Sequence, residues 1–160
     1  MHDDDVTDAT FMAQALAQAR AAALLGEIPV GAVIVHGGQV ISRGHNRRQV
    51  DHDPTAHAEL LAIRQAAEAL GDWRLEGCTV YVTLEPCAMC AGAMVLARVQ
   101  RCVFACSDPK GGFLGTLGDL SCHPRLNHRF EVKGGVMADD ASELLRGFFF
   151  ELRTGRRGGG

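Results

Sequence analysis

A run of β-branched and apolar residues, Thr79–Leu84, ends at Glu85-Pro86 and gives way at once to Cys87-Ala88-Met89-Cys90. The run reads as a buried strand. Proline cannot extend a strand ladder but suits the entry to a helix. The Ala- and Met-rich stretch Cys87–Ala97 therefore reads as that helix, and Arg101–Cys106 as the next strand. A strand feeding a helix that returns to a strand implies a parallel pair with a helix covering the face. With five Pro and six Cys in the chain, a Pro-Cys-x-x-Cys arises by chance only about 0.007 times, so its placement at this junction is informative.

The other elements extend that frame. Residues 8–25 read as a helix with Phe11, Met12, Ala15, Leu16 and Ala19 on one stripe, closed by Gly26 and Pro29. Val30–Val35 and Val40–His45 flank His36-Gly37-Gly38-Gln39 and read as a hairpin. Asp53 and Pro54 announce a helix over 55–70, ended by Gly71. Residues 107–128 hold four glycines and two prolines without periodicity, and a loop of that length in a small domain is usually functional. Phe130–Lys133 reads as a short fifth strand. A last helix, 139–153, places Leu144, Leu145, Phe148, Phe149 and Leu152 on one face. The order α-β-β-α-β-α-β-β-α predicts an α/β fold, a three-layer α/β/α sandwich around a mixed five-stranded sheet. Residues 1–153 are expected to form a single domain, and the basic, glycine-ended 154–160 a disordered tail.

Composition narrows the function classes. At 160 residues, 47% hydrophobic and 22% charged, the chain supports one core and excludes disordered, collagenous and coiled-coil classes. No apolar run reaches the ~18 residues of a membrane helix. The opening MHDDDVTD lacks the features of a secretory leader, so a cytoplasmic protein with no membrane association is expected. Thiols there stay reduced, which turns a close cysteine pair toward metal binding or catalysis. The net charge of −3 argues against a non-specific nucleic-acid coat. Yet Asp3, Asp4, Asp5 and Asp8 crowd one end, Arg146, Arg153, Arg156 and Arg157 the other, and fourteen of sixteen basic residues are Arg. A local RNA-facing patch is compatible with that distribution, as is a simply solvated surface.

The chemistry centres on two short motifs. His57-Ala58-Glu59 opens the second helix; with seven His and eight Glu it is expected about 0.35 times by chance and is weak alone. Combined with Cys87 and Cys90 at another helix start, it gains force. Cysteines three apart share a helix face, and the helix N-terminus favours their thiolates. One imidazole and two thiolates leave a fourth tetrahedral position open on zinc, the pattern of a catalytic site. Glu59 stands near enough to shuttle the proton of a water bound there. A structural zinc knuckle would need two further ligands, and Cys102 and Cys106 alternate along a strand instead. A thioredoxin-like redox pair usually lacks the His-x-Glu partner. Cys78, Cys102, Cys106 and Cys122 read as small core hydrophobes.

His-x-Glu followed by Pro-Cys-x-x-Cys resembles the signature of the zinc-dependent cytidine/deoxycytidylate deaminase superfamily. Within it, Pro29–Val33, Asp53–Glu59, Thr83–Ala93, Asn127-His128-Arg129, Asp108 with Lys110 and the Phe-rich closing helix are similar to the bacterial tRNA-specific adenosine deaminases, over about residues 9 to 153. The resemblance implies a homodimer that converts wobble adenosine of a tRNA anticodon stem-loop to inosine, with one Zn²⁺ per chain on His57, Cys87 and Cys90 and Glu59 as proton shuttle. It further implies that Asn46 and the backbone of Ala58 meet the flipped nucleotide, and that Asp108, Lys110, Phe149 and Arg153 meet the anticodon loop. For Asp108 the expected partner is a ribose 2′-OH, against the plainer alternative of capping its own loop. The nearly polar-free helix Ala91–Ala97 fits a dimer contact. His45 departs from the Trp common in relatives, and Pro109 and Phe113 stiffen and enlarge the 107–128 loop. The rivals are a deaminase of a free base or nucleotide (guanine, cytosine or dCMP) on the same zinc site, and a non-enzymatic zinc-stabilised RNA-binding module. Asp108-Pro109-Lys110 speaks against the first and the free carboxylate of Glu59 against the second.

Overall fold

The computed structural model describes residues 3–155. Along the chain run α1 (Asp3–Leu24), β1 (Gly31–His36), β2 (Gln39–His45), α2 (Ala58–Leu70), β3 (Cys78–Leu84), α3 (Ala88–Ala97), β4 (Arg101–Cys106), β5 (Glu131–Lys133) and α4 (Ala138–Arg153). The strands form one five-stranded sheet in the order β2-β1-β3-β4-β5. β1 is antiparallel to both β2 and β3, whereas β3–β4 and β4–β5 are parallel. The sheet is mixed as expected from one hairpin followed by crossovers, but β4 reaches β5 through the long loop without a helix.

Alternation along the strands separates two cores. Ala32, Ile34, Val80, Val82, Cys102 and Phe104 face α2 and α3 through Ala58, Ala62, Ala66, Ala91 and Met94. Their neighbours Val33, Val35, Tyr81, Val103 and Ala105 face α1 and α4 through Met12, Ala15, Leu16 and Ala141. Three layers result. The β1–β2 hairpin turns on Gly37 and Gly38, both left-handed at φ 58° and 77°, the conformation a two-residue turn needs to match strand twist. Gly44 matters for the site itself: a Cβ there would overlap the Ala58 carbonyl, so its absence lets the start of α2 sit directly on β2.

Several boundaries differ from the sequence expectation. α1 begins at Asp3 rather than residue 8. Acidic side chains suit a helix N-terminus, and Asp8 is buried inside the helix, accepting hydrogen bonds from Tyr81 (2.8 Å), Arg101 (2.8 Å to each oxygen) and Lys133 (3.1 Å). α2 begins at Ala58 rather than 55, because Asp53 Oδ1 accepts from the Thr55 N–H (2.8 Å) and hydroxyl (2.6 Å), making a local turn before the helix. On α4, Phe148 is buried and Leu144 and Leu145 are partly so, but Phe149 and Leu152 are exposed, which narrows the expected apolar face. Cys122 is exposed, unlike the buried Cys78, Cys102 and Cys106. Of the expected disordered tail, residues 156–160 lie outside the described residues. No described helix is long and apolar enough to cross a membrane.

Candidate active site

His57 and Cys87 are the N-cap residues of α2 and α3, both with extended backbone (ψ 150° and 176°) and neither using its side chain to cap. Each side chain is therefore left free at the mouth of a helix, where unpaired N–H groups favour negative charge. Cys90 follows in the first turn of α3 and is fully buried. His57 Nδ1 lies 3.6 Å from Cys87 Sγ and 3.6 Å from Cys90 Sγ, and the three ligand atoms lie within 4.8 Å of one another. Tetrahedral zinc, with Zn–S about 2.3 Å and Zn–N about 2.0 Å, separates its S and N ligands by about 3.5 Å. The cluster fits that ion.

The electrostatics fit a cation as well. A hydrogen bond with Cys90 holds the Cys87 thiol down to about 3, with further help from His57. The same Cys87–Cys90 bond, with burial and the nearby Glu59 carboxyl, pushes Cys90 up. His57 is raised by its bond to Cys87. One thiolate thus stands ready, and a bound cation would favour loss of the second proton. Glu59, in the first turn of α2, is 4% exposed, and burial pushes its carboxyl up to about 7. A carboxyl that exchanges its proton near neutral pH is suited to proton transfer.

These groups open into a cavity of about 160 Å³ lined by Asn46, His57, Ala58, Glu59, Glu85, Cys87 and Asp108 among others. That is small beside the ~300–1,000 Å³ of drug-sized sites, and admits one ring system with its bulk left outside. Asn46 is buried; its Nδ2 donates to the Ile28 carbonyl and its Oδ1 accepts from the Arg48 N–H, both at 3.3 Å. Asp108 lines the cavity, but its Oδ1 accepts from the N–H groups of Lys110 (3.0 Å) and Gly111 (3.2 Å). The loop-capping arrangement, weighed against a sugar contact, is thus present. Lys110, Phe149 and Arg153 are exposed and do not line the cavity. Six of the expected residues line the cavity and a seventh, Cys90, joins them through the metal cluster, while these three lie on the outer surface.

Residues not anticipated also line the cavity, among them Ile28, Val30, Arg48, Leu84 and Glu85. Glu85 is 2% exposed. In the sequence it is an acid closing an apolar strand within the Thr83–Ala93 stretch, with no role attached to it. His45 turns toward α1, its Nδ1 3.2 Å from Gln18 Oε1. Phe113 packs against the core on the α2–α3 side, while Pro109 is exposed. Outside the cavity, Leu60, Met89, Leu96, Leu120 and Leu126 line a second, shallow apolar depression across α2, α3 and the long loop.

Residues 6–153 match the MafB19-like deaminase family. The chain is 49% identical over 150 residues to the tRNA-specific adenosine deaminase of Bacillus subtilis, covering 94% of this chain and 93% of that protein. Among solved structures, it resembles one from a study of A-to-I editing by tRNA:A34 deaminases at the wobble position of transfer RNA, with TM-score 0.82 and 44% identity over 85% of this chain and 99% of the other. It also resembles guanine deaminase from Bacillus subtilis, with TM-score 0.59 and 39% identity over 67% of this chain and 66% of the other.

Proposed function

This chain belongs to the MafB19-like deaminase family, and from that premise we propose that it hydrolyses adenosine to inosine at the wobble position of a tRNA anticodon loop. The observation that carries the reading is the buried Glu59 carboxyl beside the clustered His57, Cys87 and Cys90 in one small cavity.

His57 Nδ1 and the two Sγ atoms would hold one Zn²⁺ per chain. When bound, zinc acts as a Lewis acid and makes a water acidic near neutral pH. Glu59 then takes a proton from the attacking water and passes it to N1 of adenine. Protonation at N1 makes C6 electrophilic. Oxygen adds at C6, Glu59 relays a second proton to the amino group, and ammonia leaves, so adenosine and water become inosine and ammonia. The burial that raises Glu59 suits it to both accept and return that proton.

Asn46 orients the base. Its existing bonds use one N–H and one lone pair, so a donor and an acceptor remain for the nucleotide. The backbone of Ala58 forms an adjacent wall. Asp108 holds the rim loop in shape, and Lys110, Phe149 and Arg153 provide cationic and aromatic contacts to an anticodon loop outside the cavity. An unpaired loop base enters such a recess without the cost of opening a duplex. Residues 1–153 act as one deaminase domain in the cytoplasm. The apolar depression over α3, where Leu96 is 70% exposed, is the face on which two chains pair as a homodimer.

A free-base deaminase is the second reading, favoured by the likeness to guanine deaminase. Ammonia release from a synthetic anticodon stem-loop, compared with release from guanine, cytosine and dCMP, separates the two. Turnover of the stem-loop alone is expected. Turnover of a free base or nucleotide alone would replace the present reading with the second.

A further inference from the structure

Two segments reach the cavity: residues 46–51, through Asn46 and Arg48, and residues 107–116, through Asp108. Each is fastened to a fully buried carboxylate. Glu27, 1% exposed, accepts from the Gln49 N–H with both oxygens (3.1 and 3.0 Å) and from the Val50 N–H (3.0 Å). Glu85, 2% exposed, accepts from the N–H groups of Asp108 (3.1 Å), Leu114 (3.0 Å) and Thr116 (3.1 Å) and from the Thr116 hydroxyl (2.5 Å). A Cβ on Gly112 would overlap the Glu85 carboxylate, so the loop closes around that group with no room to spare.

Burying a carboxylate is costly unless its lone pairs are filled, and a fixed geometry results when backbone donors fill them. Neither donor set comes from the metal cluster, although Leu114 also packs into the core beside α2 and α3. The donors lie in the two segments that carry Arg48 and Asp108 to the cavity wall, and Ile28, next to Glu27, carries the carbonyl that receives Asn46 Nδ2. We propose that Glu27 and Glu85 are positioning residues for substrate recognition: each sets the conformation of one lip, so that Asn46 and the Asp108–Lys110 segment are already in place when the RNA loop arrives. Both act through the backbone of these segments; Glu85 borders the cavity, but its carboxylate oxygens are occupied by the rim-loop donors. The inference rests on the anticodon-loop reading above and names the part of the chain that prepares that site in advance.

The test uses full-length, zinc-loaded Glu27→Gln, Glu85→Gln and Gly112→Ala. Glutamine keeps one acceptor oxygen and turns an NH₂ toward N–H groups that had an acceptor, while alanine at 112 displaces the carboxylate from its pocket. Single-turnover deamination of a synthetic anticodon stem-loop yields a half-saturating RNA concentration and a saturating rate. Each variant is expected to raise the former by about tenfold or more and to change the latter by less than about threefold, with zinc content unchanged. A merely structural role would lower the active fraction and the zinc content and leave half-saturation where it was; that result overturns the proposal. Should Gly112→Ala fail to fold, the two Gln variants carry the test. Amide exchange at Gln49, Val50, Leu114 and Thr116 supplies a reading that needs no RNA. Faster exchange in the matching variant supports the pinning, and unchanged exchange overturns it. If wild type leaves the stem-loop unaltered, the substrate reading fails, while the exchange rates still decide whether these carboxylates hold the lips.

Discussion

His57 Nδ1 and Cys87 Sγ lie 3.6 Å apart although thirty positions separate them in the chain, because each holds the N-cap position of a different helix at the end of the sheet where β2 and β3 finish. An ion held between them ties α2 to α3, so metal binding is folding energy as well as chemistry. Cys90→Ala should lose most of its zinc and melt at a lower temperature than wild type. Metal analysis with thermal denaturation checks both, and full zinc retention would remove Cys90 from the ligand set.

Glu59 is near the cluster without being needed to complete it. Glu59→Ala should therefore keep zinc and fold while losing about 10²–10⁴ in rate, the range of general acid–base contributions. Single-turnover assays with parallel metal analysis decide the matter. A variant as fast as wild type would place the proton shuttle on another group.

A separate network fixes the far side of the sheet. Burial alone would raise the Asp8 carboxyl, but its bonds to Arg101, Tyr81 and Lys133 outweigh this and hold it at about 2 against an ordinary 3.8. A lowered carboxylate value stabilises the fold above the unfolded-state value and ceases to do so as pH falls through the folded one. Asp8 should thus contribute about 2 kcal/mol that disappears between roughly pH 4 and pH 2. Asp8→Asn should cost a similar amount at pH 7 and flatten the acid limb of a urea-denaturation profile. An unaltered acid limb would assign the acid sensitivity elsewhere.

The grouping of His57, Cys87 and Cys90 beside Glu59 was legible in the sequence because each sits at a local signal: Cys87 and Cys90 after a strand and a proline, His57 and Glu59 at a helix opening. The sheet was legible for the same reason, since alternation and turn residues are local. Glu27 and Glu85 were not. Apart from the Thr116 hydroxyl on Glu85, their partners are backbone N–H groups 22 to 31 positions away, and a backbone donor carries no residue identity for a pattern to find. The start of α1 was hidden because Asp8 looks like a solvated acid until Arg101, 93 positions on, is placed against it. On α4 the helical period grouped Phe149 and Leu152 with Phe148, but only Phe148 is buried.

Leu96 is 70% exposed amid the apolar depression on α3. If that face joins two copies, Leu96→Glu places a charge in the contact and should shift the protein to monomers. Sedimentation of wild type and variant at micromolar concentration reads the change. A wild-type monomer of 17.1 kDa would contradict the pairing.

The small metal-ready cavity is proposed to serve an RNA loop. Incubating the zinc-loaded protein with a total tRNA pool and sequencing that pool for A-to-I changes tests it directly. Conversion confined to the wobble position of tRNAs carrying adenosine there is the expected result. An unchanged pool, in a preparation that releases ammonia from guanine, cytosine or dCMP, would contradict it.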